Sequence, residues 1–510
     1  MKKIVVLGGG TAGWMTALLA RRYYRSYEVT VVESEDLGIL GAGEGTVPHF
    51  INILNLLGIP VSDIVKECAG TIKTGIRFCN WNGDGDSYFH SFGVHGNVGW
   101  NTLDAAYFQQ NLILLKQISD GDRIDDISLT SKLSNKGLVP FIYNQKKNDA
   151  DTAPFNKVDH HGNFALHFNA RLLAKYFRKV AETRNIKRQE GFVDSINSND
   201  AGNITELVLK DGTRVEGDFF FDCSGFARLL IGKHFGTEWV SYNDHLPLDT
   251  ALPFFIEHDN KNLKPETEAI AMKYGWVWKI PVEGRYGCGY VFDSKFCTEA
   301  EAMAEVEEYF GMKLENTKTF KFKAGSFKET VVKNCMAAGL AQSFVEPLEA
   351  TSIWTFNLNT IEFLQNNGVN NQSQRFREIF NENCKKRNDD IVAFLYLHYL
   401  TQRNDSDYWR NFRTNTKMIP QVEDVLNLIN SQSPCDETGM GMIGIFPMSS
   451  WLQICDGQHL LTQDSFKQRI ADMVLVNADA AKKQLINDQN AMIVSALTHD
   501  EFLQLMRGKL

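Results

Sequence analysis

The chain has 510 residues, 43% hydrophobic and 23% charged, with 53 basic against 62 acidic residues and a net charge of −9. That length exceeds one ordinary core and divides into roughly two to four domains at about 150 residues each. No Lys/Arg-rich run, no CxxC or Cys/His cluster among nine scattered cysteines and no stretch of about 18 successive apolar residues argue against nucleic-acid or anionic-membrane binding, a disulfide scaffold, a zinc or other metal module and a transmembrane helix; they point to reduced thiols in a cytoplasmic chain.

Lys2-Lys3 before an apolar run imitates a short signal peptide, but Gly8-Gly9-Gly10 breaks its helix. Residues 3–7 instead predict a buried parallel strand. Gly8-Gly9-Gly10-Thr11-Ala12-Gly13 follows and fits G-x-G-x-x-G, with a helix beginning near Trp14. Gly8 permits the tight turn, Gly10 lets the backbone approach a pyrophosphate, and Gly13 lets helix and strand pack closely. Thr11 and Ala12 sit where a helix N-terminus favours an anion. A second strand over 28–32 ends at Glu33, placed to accept from ribose hydroxyls. Strand, glycine turn, helix and acid together predict a dinucleotide site.

Residues 71–78 alternate, with Ile72, Ile76 and Phe78 on one face of a strand and Lys73 and Arg77 on the other. A helical stripe runs over 171–184, a strand lies around Gly191-Phe192-Val193, and 204–210 and 213–216 form a hairpin through Asp211-Gly212. Residues 219–225 read as a buried strand ending in a D-x-S-G turn. A simple NAD dehydrogenase needs fewer residues, and such a late strand is expected where an FAD fold closes over its cofactor; a purely structural turn is the alternative. Trp276 and Trp278, at i and i+2 of a strand, point to one side, with Arg285-Tyr286 on the returning strand. From 361 the chain reads as helices, over 361–365, 375–402 and 464–507, with a polar turn at 366–374 and a loop at 430–434.

Four segments carry a resemblance: the N-terminal fingerprint, Gly43-Glu44-Gly45-Thr46-Val47-Pro48, the W-x-W-x-I-P of 276–281, and Phe344-Val345-Glu346-Pro347-Leu348-Glu349-Ala350-Thr351-Ser352-Ile353. With these the chain resembles the flavin-dependent halogenases of the tryptophan halogenase type, from residue 3 to about 410 and more loosely to about 460. The resemblance implies an α/β fold: an FAD-binding Rossmann-like module with inserted β-sheet segments over 1–360, and a mainly helical C-terminal subdomain over 361–510 that closes the substrate site. In that family reduced FAD, supplied as FADH2 by a separate flavin reductase, reacts with O2 to a flavin hydroperoxide. Halide attacks it, and the resulting hypohalous acid travels to a lysine beside a small aromatic substrate.

Carried onto this chain, Lys73 matches the family lysine and Glu349 the glutamate that faces it, with Glu346 as competitor in the same motif. Thr351 and Ser352 match the residues whose amides hold halide; Ala350 stands for a frequent Ser and Ser352 for a frequent Gly, which opens halide preference beyond chloride to bromide or iodide. Trp276 and Trp278 match the indoles that keep substrate from the flavin, with core packing as the alternative. Glu44 and Gly45 match the flavin strap, and Val193, Leu340 and Ile353 match flavin contacts. His90 and Trp451 match substrate-side positions, His90 being equally readable as a structural histidine. The neighbourhood 446–451 lacks the aromatic pair of the free-tryptophan enzymes, so an indole or another electron-rich arene is expected. The competing readings are a flavin-dependent aromatic hydroxylase and a non-catalytic FAD-binding protein; a homodimer is compatible with the halogenase reading.

Overall fold

The computed structural model describes residues 1–35, 43–92, 105–144, 154–315, 317–371, 373–431, 445–472 and 478–509. Most of the loop expected at 430–434, from residue 432 on, lies outside them. The chain divides into two compact units, each assembled from three segments.

The first unit comprises residues 1–69, 168–247 and 323–389. Its centre is a six-stranded sheet in the order Lys187–Glu190, Glu28–Glu33, Lys3–Leu7, Phe219–Asp222, Cys335–Ala337, Val331–Val332. All neighbours are parallel except the last pair. Parallel strands buried on both faces need continuous apolar runs, and Ile4, Val5, Val6 and Leu7, like Phe219, Phe220 and Phe221, are buried. Parallel neighbours also need a crossover. The helix Thr11–Tyr23 supplies it and is buried from Gly13 to Ala20, packed against the helices Ala170–Thr183 and Thr351–Gln365. Ala170–Thr183 begins where the Asn169 side chain accepts from the Arg171 and Leu172 amides. The expected hairpin forms as Ile204–Leu209 with Arg214–Glu216 and is joined by Val193–Ser198.

The second unit comprises residues 70–167, 248–322 and 390–510. The sequence reading divides the chain near 360; in the structure residues 390–510 share their unit with the two inserted segments. Its main sheet has seven strands in the order Phe320–Lys321, Thr250–Glu257, Arg285–Phe292, Gly275–Val282, Thr267–Ala271, Gly75–Cys79, Ser87–Ser91.

Two sequence expectations are corrected here. Residues 71–78 do not form one strand. Thr71–Lys73 pairs antiparallel with the strand Ala165–Phe168, whereas Gly75–Cys79 pairs with Thr267–Ala271 and Ser87–Ser91 in the seven-stranded sheet. Thr74 marks the break, its amide and hydroxyl both donating to the Pro265 carbonyl at 2.7 and 2.9 Å. Residues 464–507 are not continuous helix either. Helices Gln463–Asp472 and Ala478–Ser495 are followed by a short strand, Ala496–Thr498, which pairs with Leu138–Tyr143, and then by the helix His499–Met506. No helix among the described residues is long and apolar enough to cross a membrane. The eight described cysteines are free thiols, all but Cys79 buried.

Candidate active site

In the first unit the glycine fingerprint lies where the first strand meets its helix. Gly8 has φ +121°, and a Cβ there would lie 2.1 Å from the Cys223 carbonyl oxygen. A Cβ on Gly13 would lie 1.8 Å from the Gly8 carbonyl oxygen. Both glycines therefore serve contact of chain with chain. Gly10 differs: a Cβ there meets nothing within 4 Å. Gly10 is also the N-cap of Thr11–Tyr23 and no side chain caps that helix, so its first amides are offered to a ligand. The Thr11 hydroxyl oxygen is buried there without a partner among the described residues. An open glycine backbone, uncapped amides and an orphaned hydroxyl fit the pyrophosphate of a dinucleotide.

Glu33 ends the second strand as expected. Its Oε1 accepts from Arg188 Nε at 2.6 Å, with Arg178 Nη1 at 3.8 Å. Its Oε2 lies over Gly9, where a Cβ would come within 1.4 Å. One carboxylate oxygen is thus fixed by arginine and the other lies along the glycine turn. No local pattern marks Arg188, which reaches Glu33 by strand pairing.

The D-x-S-G turn is built around Asp222. Its Oδ1 accepts from the Ser224 amide and hydroxyl at 3.0 and 2.6 Å, and its Oδ2 from the Leu230 and Ile231 amides at 2.8 Å each. This carboxylate shapes the turn. Gly339 and Leu340 form a short 3-10 turn beside it, and a Cβ on Gly339 would lie 2.7 Å from Ala12 Cβ. The turn therefore abuts the first residues of the fingerprint helix, with Leu340 half-buried. Val193 packs against the core of Val5, Leu7 and Val32.

The acidic motif leads into the helix Thr351–Gln365. Glu346 and Glu349 are both buried. The N-cap, Ala350, holds the left-handed conformation (φ 54°) and no side chain caps the helix. A non-glycine residue there is strained, and the amides of Thr351 and Ser352 begin the helix. Thr351 and Ile353 are buried and Ser352 half-buried. Glu44 and Gly45 form a two-residue strand ahead of the helix His49–Leu57. The His49 ring stacks on Trp354, centroids 4.7 Å apart, which ties this segment to the first turn of the 351 helix. Burial pushes the Glu44 carboxyl up to about 7.

The second unit carries the remaining candidates. Lys73 is fully buried (0% exposed), with its Nζ 5.3 Å from the centre of the Phe92 ring. Taking a lysine out of water is costly, and the strand that carries it is held by polar groups. The Thr71 hydroxyl donates to the Pro281 carbonyl, in the W-x-W-x-I-P strand, at 2.7 Å. It must then accept from His167 Nδ1, 3.1 Å away. His167 Nε2 in turn accepts from the Thr267 hydroxyl at 2.8 Å. Burial, then the positive charge of Lys73, hold His167 well below the usual histidine range, so its ring is neutral. Arg77, placed by sequence on the face of Lys73, is engaged elsewhere: its Nε and Nη2 donate to Glu266 at 2.9 and 3.1 Å.

Trp276 is buried and Trp278 half-buried, with ring centroids 6.3 Å apart on one side of their strand. The Trp278 ring sits against Gly289, where a Cβ would meet it at 2.0 Å. His90 and Trp451 come together. His90 Nε2 is 2.9 Å from the Ser450 hydroxyl, Trp451 packs edge-on against Phe394 at 5.3 Å, and Phe394 stacks on Phe446 at 3.8 Å. Gln453 fixes this helix to the His90 strand, its Oε1 accepting from the Ser91 amide at 2.9 Å and hydroxyl at 2.6 Å. The buried indole Nε1 of Trp451 has no hydrogen-bond partner among the described residues.

The family model of the tryptophan halogenases matches residues 3–473. The chain belongs to the tryptophan halogenase family. A tryptophan 6-halogenase of Streptomyces toxytricini is 30% identical over 438 residues, 82% of each chain. Its solved structure superposes with a TM-score of 0.86 at 26% identity, covering 99% of this chain and 100% of that one. A flavin-dependent halogenase from Brevundimonas sp. BAL3 superposes with a TM-score of 0.83 at 28% identity, covering 99% of both chains. The protein is thus an enzyme of the flavin-dependent halogenase class, with a flavin as cofactor and a halide and an aromatic compound as substrates.

Proposed function

We propose that this halogenase takes FAD, as FADH2 delivered by a separate flavin reductase, and halogenates an electron-rich arene of the indole type in the cytoplasm. The observation that carries the reading is the full burial of Lys73 on a strand held by hydrogen-bonded polar groups.

The FAD reading rests on the fingerprint Gly8, Gly10, Thr11, Ala12 and Gly13, with Glu33 at the ribose, Glu44 and Gly45 as the strap, and Leu340, Ile353 and Val193 as further contacts. Bound reduced flavin, with O2, supplies the two-electron oxidation that turns halide into hypohalous acid. The amides of Thr351 and Ser352 hold the halide, as a helix N-terminus holds an anion. Lys73 Nζ donates a hydrogen bond to the hypohalous oxygen and polarises the oxygen–halogen bond. The arene then attacks the halogen as the oxygen–halogen bond breaks, and the departing hydroxide takes a proton from Lys73 and leaves as water. Glu349 takes the proton from the arene carbon, a role assigned from its motif. Trp276 and Trp278 exclude the arene from the flavin side, which disfavours direct oxygen transfer. His90 and Trp451 contact the arene, and the proline and serines that replace the aromatic pair of the free-tryptophan enzymes in 446–451 favour an indole over free tryptophan.

One assay tests the whole reading. The enzyme is supplied with FAD, a reductase, NADH, O2 and bromide against a panel of indoles, and products are identified by mass spectrometry. Mono-halogenated indole is expected. Hydroxylated product would support the monooxygenase reading, and no product with any halide would favour a non-catalytic FAD-binding protein. A crystal soaked in bromide is expected to show the ion at the amides of Thr351 and Ser352.

A further inference from the structure

Lys73 sits on a strand of three residues, and the hydrogen bond from its neighbour in the chain leads to the far C-terminus. The Ile72 amide donates to His499 Nε2 at 3.0 Å. The other ring nitrogen of His499, Nδ1, is 2.9 Å from the Leu263 carbonyl oxygen. A carbonyl only accepts, so Nδ1 carries the proton. Nε2 is then the acceptor that the Ile72 amide requires. Burial pushes His499 down to about 4, which keeps the ring neutral and Nε2 free to accept. His499 itself is fully buried.

The backbone at His499 is anchored independently of its ring. The strand Ala496–Thr498 pairs with Leu138–Tyr143, the His499 amide donates to the Gly137 carbonyl at 2.9 Å, and Thr498 and Glu501 form a reciprocal capping box. The ring therefore stands on a fixed base and reaches one residue short of Lys73. On the other side, Thr71 is tied to Pro281 and His167. Thr71 and Ile72, the two residues before Lys73, are thereby both pinned by groups from other parts of the unit, Ile72 by the last helix.

We infer that His499 is a positioning residue for Lys73: by accepting the Ile72 amide it fixes the strand that aims the lysine. The inference rests on the assignment of Lys73 above. It assigns to the C-terminal segment a part in halogen delivery and none in oxidising the halide. A displaced lysine lets hypohalous acid escape, because small misplacements of a positioned group are expensive.

The test compares His499→Leu, which fills the space without an acceptor, with His499→Gln, whose Oε1 accepts from the Ile72 amide. Two quantities are read on the full-length, flavin-loaded enzyme: amide hydrogen exchange at Ile72, and halogenated indole formed per flavin oxidised. The leucine variant is expected to exchange Ile72 faster and to lose coupling on the order of tenfold, with flavin oxidation unchanged; the glutamine variant restores both. A folded leucine variant with wild-type coupling overturns the inference, whether or not Ile72 exchange changes. A Lys73→Met variant that still halogenates overturns instead the assignment beneath it.

Discussion

Gly10 and Gly13 stand three residues apart in one loop, yet the structure gives them different work, and alanine at each position separates the two. A Cβ on Gly13 would lie 1.8 Å from the Gly8 carbonyl oxygen, with Cys223 Cβ behind it at 3.6 Å. Helix and strand must part by roughly 1 Å to admit it, and forced insertions of this kind cost about 1–3 kcal/mol. For a unit of this size that lowers Tm on the order of 5 °C. Gly10 has φ −78° and ψ −175°, which any residue adopts, and open space where a Cβ would stand. The entropy gained there by alanine, about 0.4–1 kcal/mol, offsets its poorer capping, so Tm should move by no more than about 1 °C. A methyl at Gly10 nevertheless occupies the surface from which the backbone approaches the pyrophosphate. Losing that approach should raise the Kd for FAD on the order of 10²-fold, about 2.7 kcal/mol. Thermal unfolding without flavin, followed by titration of flavin fluorescence, reads both quantities. Wild-type affinity in Gly10→Ala would refute the ligand role of the open glycine, and an unchanged Tm in Gly13→Ala would refute the packing argument.

Lys73→Met should bind flavin and consume NADH and O2 at the normal rate while making no halogenated indole; product at the wild-type rate removes Lys73 from the chemistry. Glu349→Ala should lower turnover on the order of 10²-fold, the usual size for a proton acceptor, and an unchanged rate removes it too. Glu44 makes a pH prediction. Burial raises its carboxyl from 4.5 to about 7, so the native state favours the protonated form; its stability contribution is complete below pH 4.5 and is lost as pH rises through 7. The wild type should therefore lose at most about 3 kcal/mol relative to Glu44→Gln between acid and pH 8, less by whatever solvent reaches the side chain. Denaturant midpoints of both flavin-free proteins at pH 5 and pH 8 check this, and parallel profiles would refute it.

The first unit was legible wherever a local pattern fixes the backbone. The apolar run over residues 3–7 had no other use than a strand buried on both faces, and Gly8 and Gly13 sit at the close chain contacts their spacing implied. The hairpin at 204–216 and the helix at 170–183 follow from turn and stripe signals of the same short range. The partner of Glu33 was not legible, because Arg188 reaches it only through the pairing of Lys187–Glu190 with Glu28–Glu33. Nor was the left-handed backbone at Ala350; alanine carries no sequence mark of that conformation.

The second unit shows why the lysine strand was read incorrectly. Period-two alternation assigns faces on the assumption that one face meets water. Here Ile72, Lys73 and Thr74 are all buried, and the chain changes partners at Thr74, so alternation carries no information about which side is which. What holds the strand of Lys73 is polar and remote: Thr71 with Pro281 and His167, His167 with Thr267, and Ile72 with His499. None of these residues is marked by its own neighbours. His499 was hidden further by the uniform helical pattern of 464–507, within which it is one more polar residue. The short strand at 496–498 interrupts that helix, restarts it with a new cap and turns the His499 ring inward. A truncation that removes 496–506 therefore takes away the acceptor of the Ile72 amide, so the last helix supports the lysine strand from within the same unit and is not a detachable cap.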